Sequence, residues 1–111
     1  MNREFIYAEK FSTKWQALNL TDNDLILLEN HLLENPKVGD VIEGTGGLRK
    51  VRWALPAGGK SGGIRILYVD VVLCGQMHII DLFPKREKEN LTKAERNAIK
   101  KVVEKIKQGG G

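Results

Sequence analysis

The apolar positions change period several times along the chain, and each change marks an element. Near the N-terminus Phe5, Ile6, Tyr7 and Phe11 cluster, which predicts a short strand over Glu4–Ala8. Ser12 is placed to cap a helix running to about Leu18 and carrying Trp15 and Leu18. Thr21-Asp22-Asn23-Asp24 has capping-box spacing, with Asp24 in the position usually held by Glu or Gln. Leu25, Leu28, Leu32 and Leu33 then recur at helical spacing. Asn35-Pro36 stops this second helix, Asp22–Glu34, because proline lacks a donor and disfavours αR in the residue before it.

Lys37–Gly47 reads as a turn or loop, given Gly44, Gly46 and Gly47. Leu48–Leu55 alternates as a strand does. Leu48, Lys50, Arg52 and Ala54 take one parity, and Arg49, Val51, Trp53 and Leu55 take the other. Pro56–Gly63 is a glycine-rich loop. Ile64–Val72 is rich in β-branched and aromatic residues, interrupted by Arg65. Cys74-Gly75-Gln76 marks a turn, and Met77–Phe83 forms the next strand, ended by Pro84. Two apolar strands joined by a short turn predict an antiparallel hairpin. Thr92 and Glu95 have full capping-box spacing for a last helix. Its apolar stripe is Ala94, Ala98, Ile99, Val102, Val103 and Ile106, with most of its lysines off that stripe. The order β-α-α-β-β-β-α predicts an α+β fold, a small antiparallel β-sheet flanked by helices. It forms a single domain over residues 1–108, with residues 109–111 a flexible glycine tail.

A length of 111 residues fits one core and leaves too little for a second. No apolar run approaches the ~20 residues needed to span a bilayer, and MNREFIYAEK lacks a signal-peptide core, so the expected location is cytoplasmic. A single cysteine, Cys74, excludes an internal disulfide and a multi-cysteine metal site. The charge is uneven. Residues 1–47 carry four Lys/Arg against eight Asp/Glu, net −4, while residues 48–111 carry fourteen against six, net +8. The basic part suits an anionic partner such as nucleic acid or an acidic protein segment.

Several familiar motifs fail on inspection. Gly58-Gly59-Lys60-Ser61 would need glycine at position 54 to be a P-loop, and Ala54 stands there. The segment after Ser61 also reads as strand, so no helix N-terminus meets the phosphates. Gly44-Thr45-Gly46-Gly47 lacks the third glycine of a dinucleotide fingerprint. His31 and His78 lie on different elements without ligand spacing, and read as surface or packed residues; no metal or other cofactor is expected. A Ser61/His78/Asp81 triad has no geometric support, and Cys74 reads as a structural thiol.

The cations of the second half are more informative. Lys50 and Arg52 project from one strand face, Lys60 sits in the glycine loop, Arg65 interrupts an apolar strand, and Lys85 and Arg86 follow the last strand. Converging cations without a carboxylate cluster suit phosphate recognition. The competing explanation pairs some of them with Asp70, Asp81 or Glu87.

These segments together resemble the HigB branch of the RelE toxin superfamily. The resemblance rests on Val41–Arg52, on Gly59–Tyr68 and on Ile80–Arg96, in order and at suitable separations, and extends over about Leu25–Lys101. It implies a type II toxin, an endoribonuclease that cleaves mRNA in the ribosomal A site. It also implies two classes of partner, mRNA with the ribosome's rRNA, and a cognate antitoxin of helix-turn-helix type. The implied reaction needs no metal: the RNA 2′-oxygen attacks the adjacent phosphate, leaving a 2′,3′-cyclic phosphate and a 5′-hydroxyl. By residue, the resemblance assigns Arg65 to the scissile phosphate and Lys85 to proton transfer or phosphate binding. Lys60, in the HigB-type loop, joins them in the catalytic set, and Lys50, Arg52, Arg49 and Arg86 are assigned to RNA contacts. Some relatives carry a tyrosine after the last strand, where this chain reads Lys88-Glu89-Asn90-Leu91-Thr92. The alternative from another class is a non-catalytic RNA-binding or corepressor module on the same fold.

Overall fold

A computed structural model describes residues 3–54, 63–85, 87–88 and 90–109. The elements run β1 (Glu4–Tyr7), α1 (Glu9–Ala17), α2 (Asp22–Glu34), β2 (Asp40–Val41), β3 (Arg49–Trp53), β4 (Ile64–Val71), β5 (Gln76–Pro84) and α3 (Lys93–Gly109). One sheet holds all five strands in the order β1-β5-β4-β3-β2. The β2-β3, β3-β4 and β4-β5 pairs are antiparallel, as expected. The β1-β5 pair is parallel, so the sheet is mixed rather than purely antiparallel. The β4-β5 hairpin leaves one edge of β5 open, and β1 closes it over Gln76–Ile79.

Two further expectations need correction. The helix assigned to Ser12–Leu18 starts at Glu9, with Ala8 as its N-cap and no side-chain cap bond. The Ala8 amide still bonds to Ile79 O, so β1 passes straight into the helix, and Ser12 is an exposed interior residue. Within the stretch assigned to a loop, Asp40–Val41 forms the short strand β2. The turn after it is closed by fully buried Thr45, whose hydroxyl donates to Ile42 O and accepts the Leu48 amide. By contrast α2 has the expected bounds, and both capping boxes form. The Thr21 and Asp24 side chains exchange bonds with each other's amides, as do those of Thr92 and Glu95. The glycine at 109, expected in the tail, is the last residue of α3.

Each sheet face has its own core. Phe11 and Trp15 of α1 and Leu28 and Leu32 of α2 pack on Val51, Ile64, Ile66, Tyr68, Met77, Ile79 and Leu82. On the other face Leu91, Ile99 and Val103 pack on Leu48, Leu67, Val69, Val71, Ile80 and Phe83. β4 is therefore covered on both sides, which is why its sequence reads as one apolar run instead of a clean alternation. Arg65 shares the parity of Leu67 and Val69 and belongs to the α3 face.

Candidate active site

The site begins where β2 ends. β2 is only two residues long and pairs Asp40 with Lys50 and Val41 with Arg49, so β3 from Val51 onward is a sheet edge on that side. At this edge lies an open cleft of about 360 Å³, lined by His31, Val38, Asp40, Lys50, Val51, Arg52 and Arg65. Strand register brings its cations together. Arg52 lies directly opposite Arg65, and Lys50 opposite Leu67, so all three residues share the α3 face. Like charges directly opposed on a sheet cost stability, which makes this rung suited to a place that meets an anion. Arg65 forms the floor at 1% exposure, Arg52 is exposed at the rim, and Lys50 Nζ donates to Asn90 Oδ1 at 3.0 Å.

Lys85 is exposed just beyond β5, at the same end of the sheet. Its amide donates to Gly63 O at 3.2 Å, while Ile64 pairs with Pro84 and Arg65 with Phe83. It does not line the cleft. Gly63 is fixed by geometry: its φ is +73°, and a Cβ there would lie 2.4 Å from Trp53 O. Arg49 is not brought to the cleft. It pairs with Tyr68 on the other face and donates to Gly39 O at 2.7 Å and Lys37 O at 3.4 Å, holding the approach to β2. Lys60 and Arg86 lie outside the described residues.

Two of the carboxylates weighed as partners for these cations, Asp70 and Asp81, are engaged by other cations. Asp70 accepts Arg3 Nε at 2.7 Å. Asp81 is bridged by Lys14 at 2.7 Å and Lys10 at 3.3 Å. Lys88 pairs with Glu95, and this ammonium, helped by the Thr92 amide, holds the Glu95 carboxyl down at about 2. A second cleft, of about 380 Å³, sets Lys10, Lys14 and Lys88 against Asp81, Glu87 and Glu95, so its charges cancel. The β3-edge cleft instead holds Asp40 against Lys50, Arg52 and Arg65. Among the described residues no group of three or more His, Cys, Asp or Glu is placed to hold a metal. No helix among them is long and apolar enough to cross a membrane.

Two cleft residues carry no functional signal in the sequence. Asp40 stands in a segment whose glycines predict a loop. His31 is expected to be a surface or packed residue, and its ring rests against Trp53, with centroids 5.3 Å apart and planes tilted by 47°. Yet the same residue forms part of the cleft wall. The only available signal was its place between the buried helix positions Leu28 and Leu32, which turns it toward the sheet.

No family model matches the sequence. Among solved structures the chain is similar to the Escherichia coli toxin RelE, in a double arginine-to-alanine mutant in the free state. The TM-score is 0.56 at 17% identity, covering 80% of this chain and 90% of that one. A helix-flanked sheet carrying a basic cleft at one edge is thus built here on the RelE fold.

Proposed function

We propose that the protein is the toxin of a type II toxin–antitoxin pair, a HigB-like endoribonuclease that cuts mRNA in the ribosomal A site and so inhibits translation. The observation that carries this reading is the Arg52–Arg65 rung beside Lys50, set in an open cleft of a RelE fold. Three cations around one concavity attract a phosphodiester, and Arg65 on the floor places charge where the pentacoordinate phosphate would develop it. Arg52 and Lys50 contact the RNA backbone. Lys85, with Lys60 and Arg86, serves the phosphate and the leaving oxygen. Arg49 supports the site by holding Gly39 and Lys37. An enzyme of this size gains most of its positioning from the ribosome, which holds the mRNA in register. The basic half docks on rRNA in a salt-dependent way, and a helix-turn-helix antitoxin with an acidic segment neutralises it. Such a protein acts where ribosomes are, in the cytoplasm.

Primer extension on a defined mRNA, with and without translating ribosomes, tests the reading. Wild type, Arg65→Ala and Lys85→Ala are run side by side. Discrete cuts leaving 5′-hydroxyl ends, present in wild type and lost in both variants, are expected with ribosomes. RNA binding without any cut would instead establish the non-catalytic module.

A further inference from the structure

We propose that one flank of α3 is a track for the RNA strand, carrying it away from the cleft along Lys93, Lys100 and Lys107. The inference rests on the endoribonuclease reading and gives its substrate a path beyond the cleft. α3 covers the sheet face that holds Lys50, Arg52 and Arg65, and its two flanks differ. On one flank Val102 and Ile106 line an apolar groove with Ile6 and Ile79, so that flank faces the β1 edge. The other flank is fixed by Lys107, whose Nζ donates to Gly46 O at 2.7 Å in the turn between β2 and β3.

Lys100 and Lys93 precede Lys107 by seven and fourteen residues. Seven residues are close to two helical turns, so the three side chains form one column with steps of about 10 Å. All three are exposed. Among the described residues none of them forms a salt bridge with a carboxylate, Glu104 one turn beyond Lys100 included. Their charge is therefore available to phosphates.

The column also starts at the cleft. Lys50 lines the cleft, and its Nζ donates to Asn90 Oδ1 at 3.0 Å, three residues before Lys93. A strand leaving Arg52 and Lys50 in this direction meets a cation at every step. In the other direction it meets exposed Asp40 and then α2, which carries Asp22, Asp24, Glu29 and Glu34 and no lysine or arginine. Electrostatics thus sends a polyanion along α3. Continuity with the cleft makes the occupant the RNA strand bound there.

The test compares two charge-matched double variants, Lys93→Gln/Lys100→Gln on the track and Lys101→Gln/Lys105→Gln elsewhere on the exposed surface of α3. Fluorescence anisotropy follows binding of single-stranded RNAs of about 4 and about 12 nucleotides as salt is raised. Their 2′-hydroxyls are methylated, so binding is read without cleavage. Wild type should bind the longer RNA more tightly and with a steeper salt dependence. In Lys93→Gln/Lys100→Gln that slope should fall by about 1.4, with affinity for the longer RNA down about tenfold and the shorter RNA unaffected. Lys101→Gln/Lys105→Gln should keep the wild-type slope. Equal losses in the two variants, or binding that gains nothing with length, overturn the track. So does a loss seen only in pelleting with ribosomes, which would give this flank to rRNA, or only with polyglutamate, which would give it to an acidic protein segment. Cleavage of mRNA by translating ribosomes is measured alongside: wild type that cuts without the length effect sinks the track alone, and wild type that never cuts sinks the nuclease reading.

Discussion

Tyr68→Phe removes a single oxygen from the middle of the sheet, and its cost follows from what that oxygen holds. The side chain is 0% exposed. Its hydroxyl donates to Pro36 O at 2.8 Å and accepts the Gly39 amide at 2.9 Å. No substitute lies at hand, because Gly39 is packed so tightly that even a Cβ would come within 2.9 Å of the Tyr68 ring. Phenylalanine therefore leaves the buried Gly39 amide unsatisfied, at ~1–3 kcal/mol, and loses a second, partly buried bond worth ~1 kcal/mol. The sum is about 3 kcal/mol, a large share of the ~5–15 kcal/mol that holds a domain together. Urea unfolding should show a midpoint lower by about 1.5 M at unchanged slope, for a slope near 2 kcal/mol/M. The comparison is Tyr7→Phe, whose hydroxyl donates to the half-buried Glu29 carboxylate and should cost less. The same tether carries Val38 and Asp40 into the cleft wall, so RNA cleavage should fall along with stability. A Tyr68→Phe unfolding free energy within ~0.5 kcal/mol of wild type would refute the reasoning.

Three other perturbations give separable results. Gly63→Ala forces a methyl into Trp53 O at a left-handed φ, and should displace the start of β4 and cost about 2 kcal/mol or more in urea unfolding. Arg52→Ala relieves the like-charge rung with Arg65, so stability should hold or rise by ~0.2–1 kcal/mol while RNA cleavage drops; joint loss of both would contradict the rung as described. Burial raises the phenol pKa values of Tyr7 and Tyr68, so the native state holds those protons more tightly than the unfolded chain. Stability from this source is complete below about pH 10, the unfolded value, and is lost as pH rises beyond it. Urea midpoints should fall across that range, less steeply in Tyr7→Phe.

What could be read from sequence follows the reach of each signal. The bounds of α2 were legible because its start signal, Thr21 with Asp24, and its stop signal, Asn35-Pro36, are local. The shared face of Lys50 and Arg52 was legible for the same reason, since two-residue alternation is a property of any strand. The pairing of Arg52 with Arg65 depends on register across the glycine-rich stretch between them, which no local pattern specifies. Nor was β2 legible, because two residues are too few to show a period. Arg49 looked like its neighbours and differs only in lying on the other face, where backbone carbonyls engage it. His31 was invisible as a cleft residue because its setting comes from β2, β3 and β4, all distant in sequence.

The position of β1 bears on how the chain comes into being. Glu4 pairs with Gln76, and their side chains meet across a separation of 72 residues. β5 stands between β1 and the rest of the sheet, and it also carries Met77, Ile79 and Leu82 of the core beneath α1 and α2. During synthesis the N-terminal strand and helices thus emerge without the surface they pack on, and wait until residues 76–84 have left the exit tunnel. Contacts this distant make folding slow and leave apolar side chains uncovered in the interval. The cleft matures equally late, since Arg65 acquires Phe83 as its neighbour only when β5 docks. A nascent chain therefore has no finished cleft until β5 has docked beside β4.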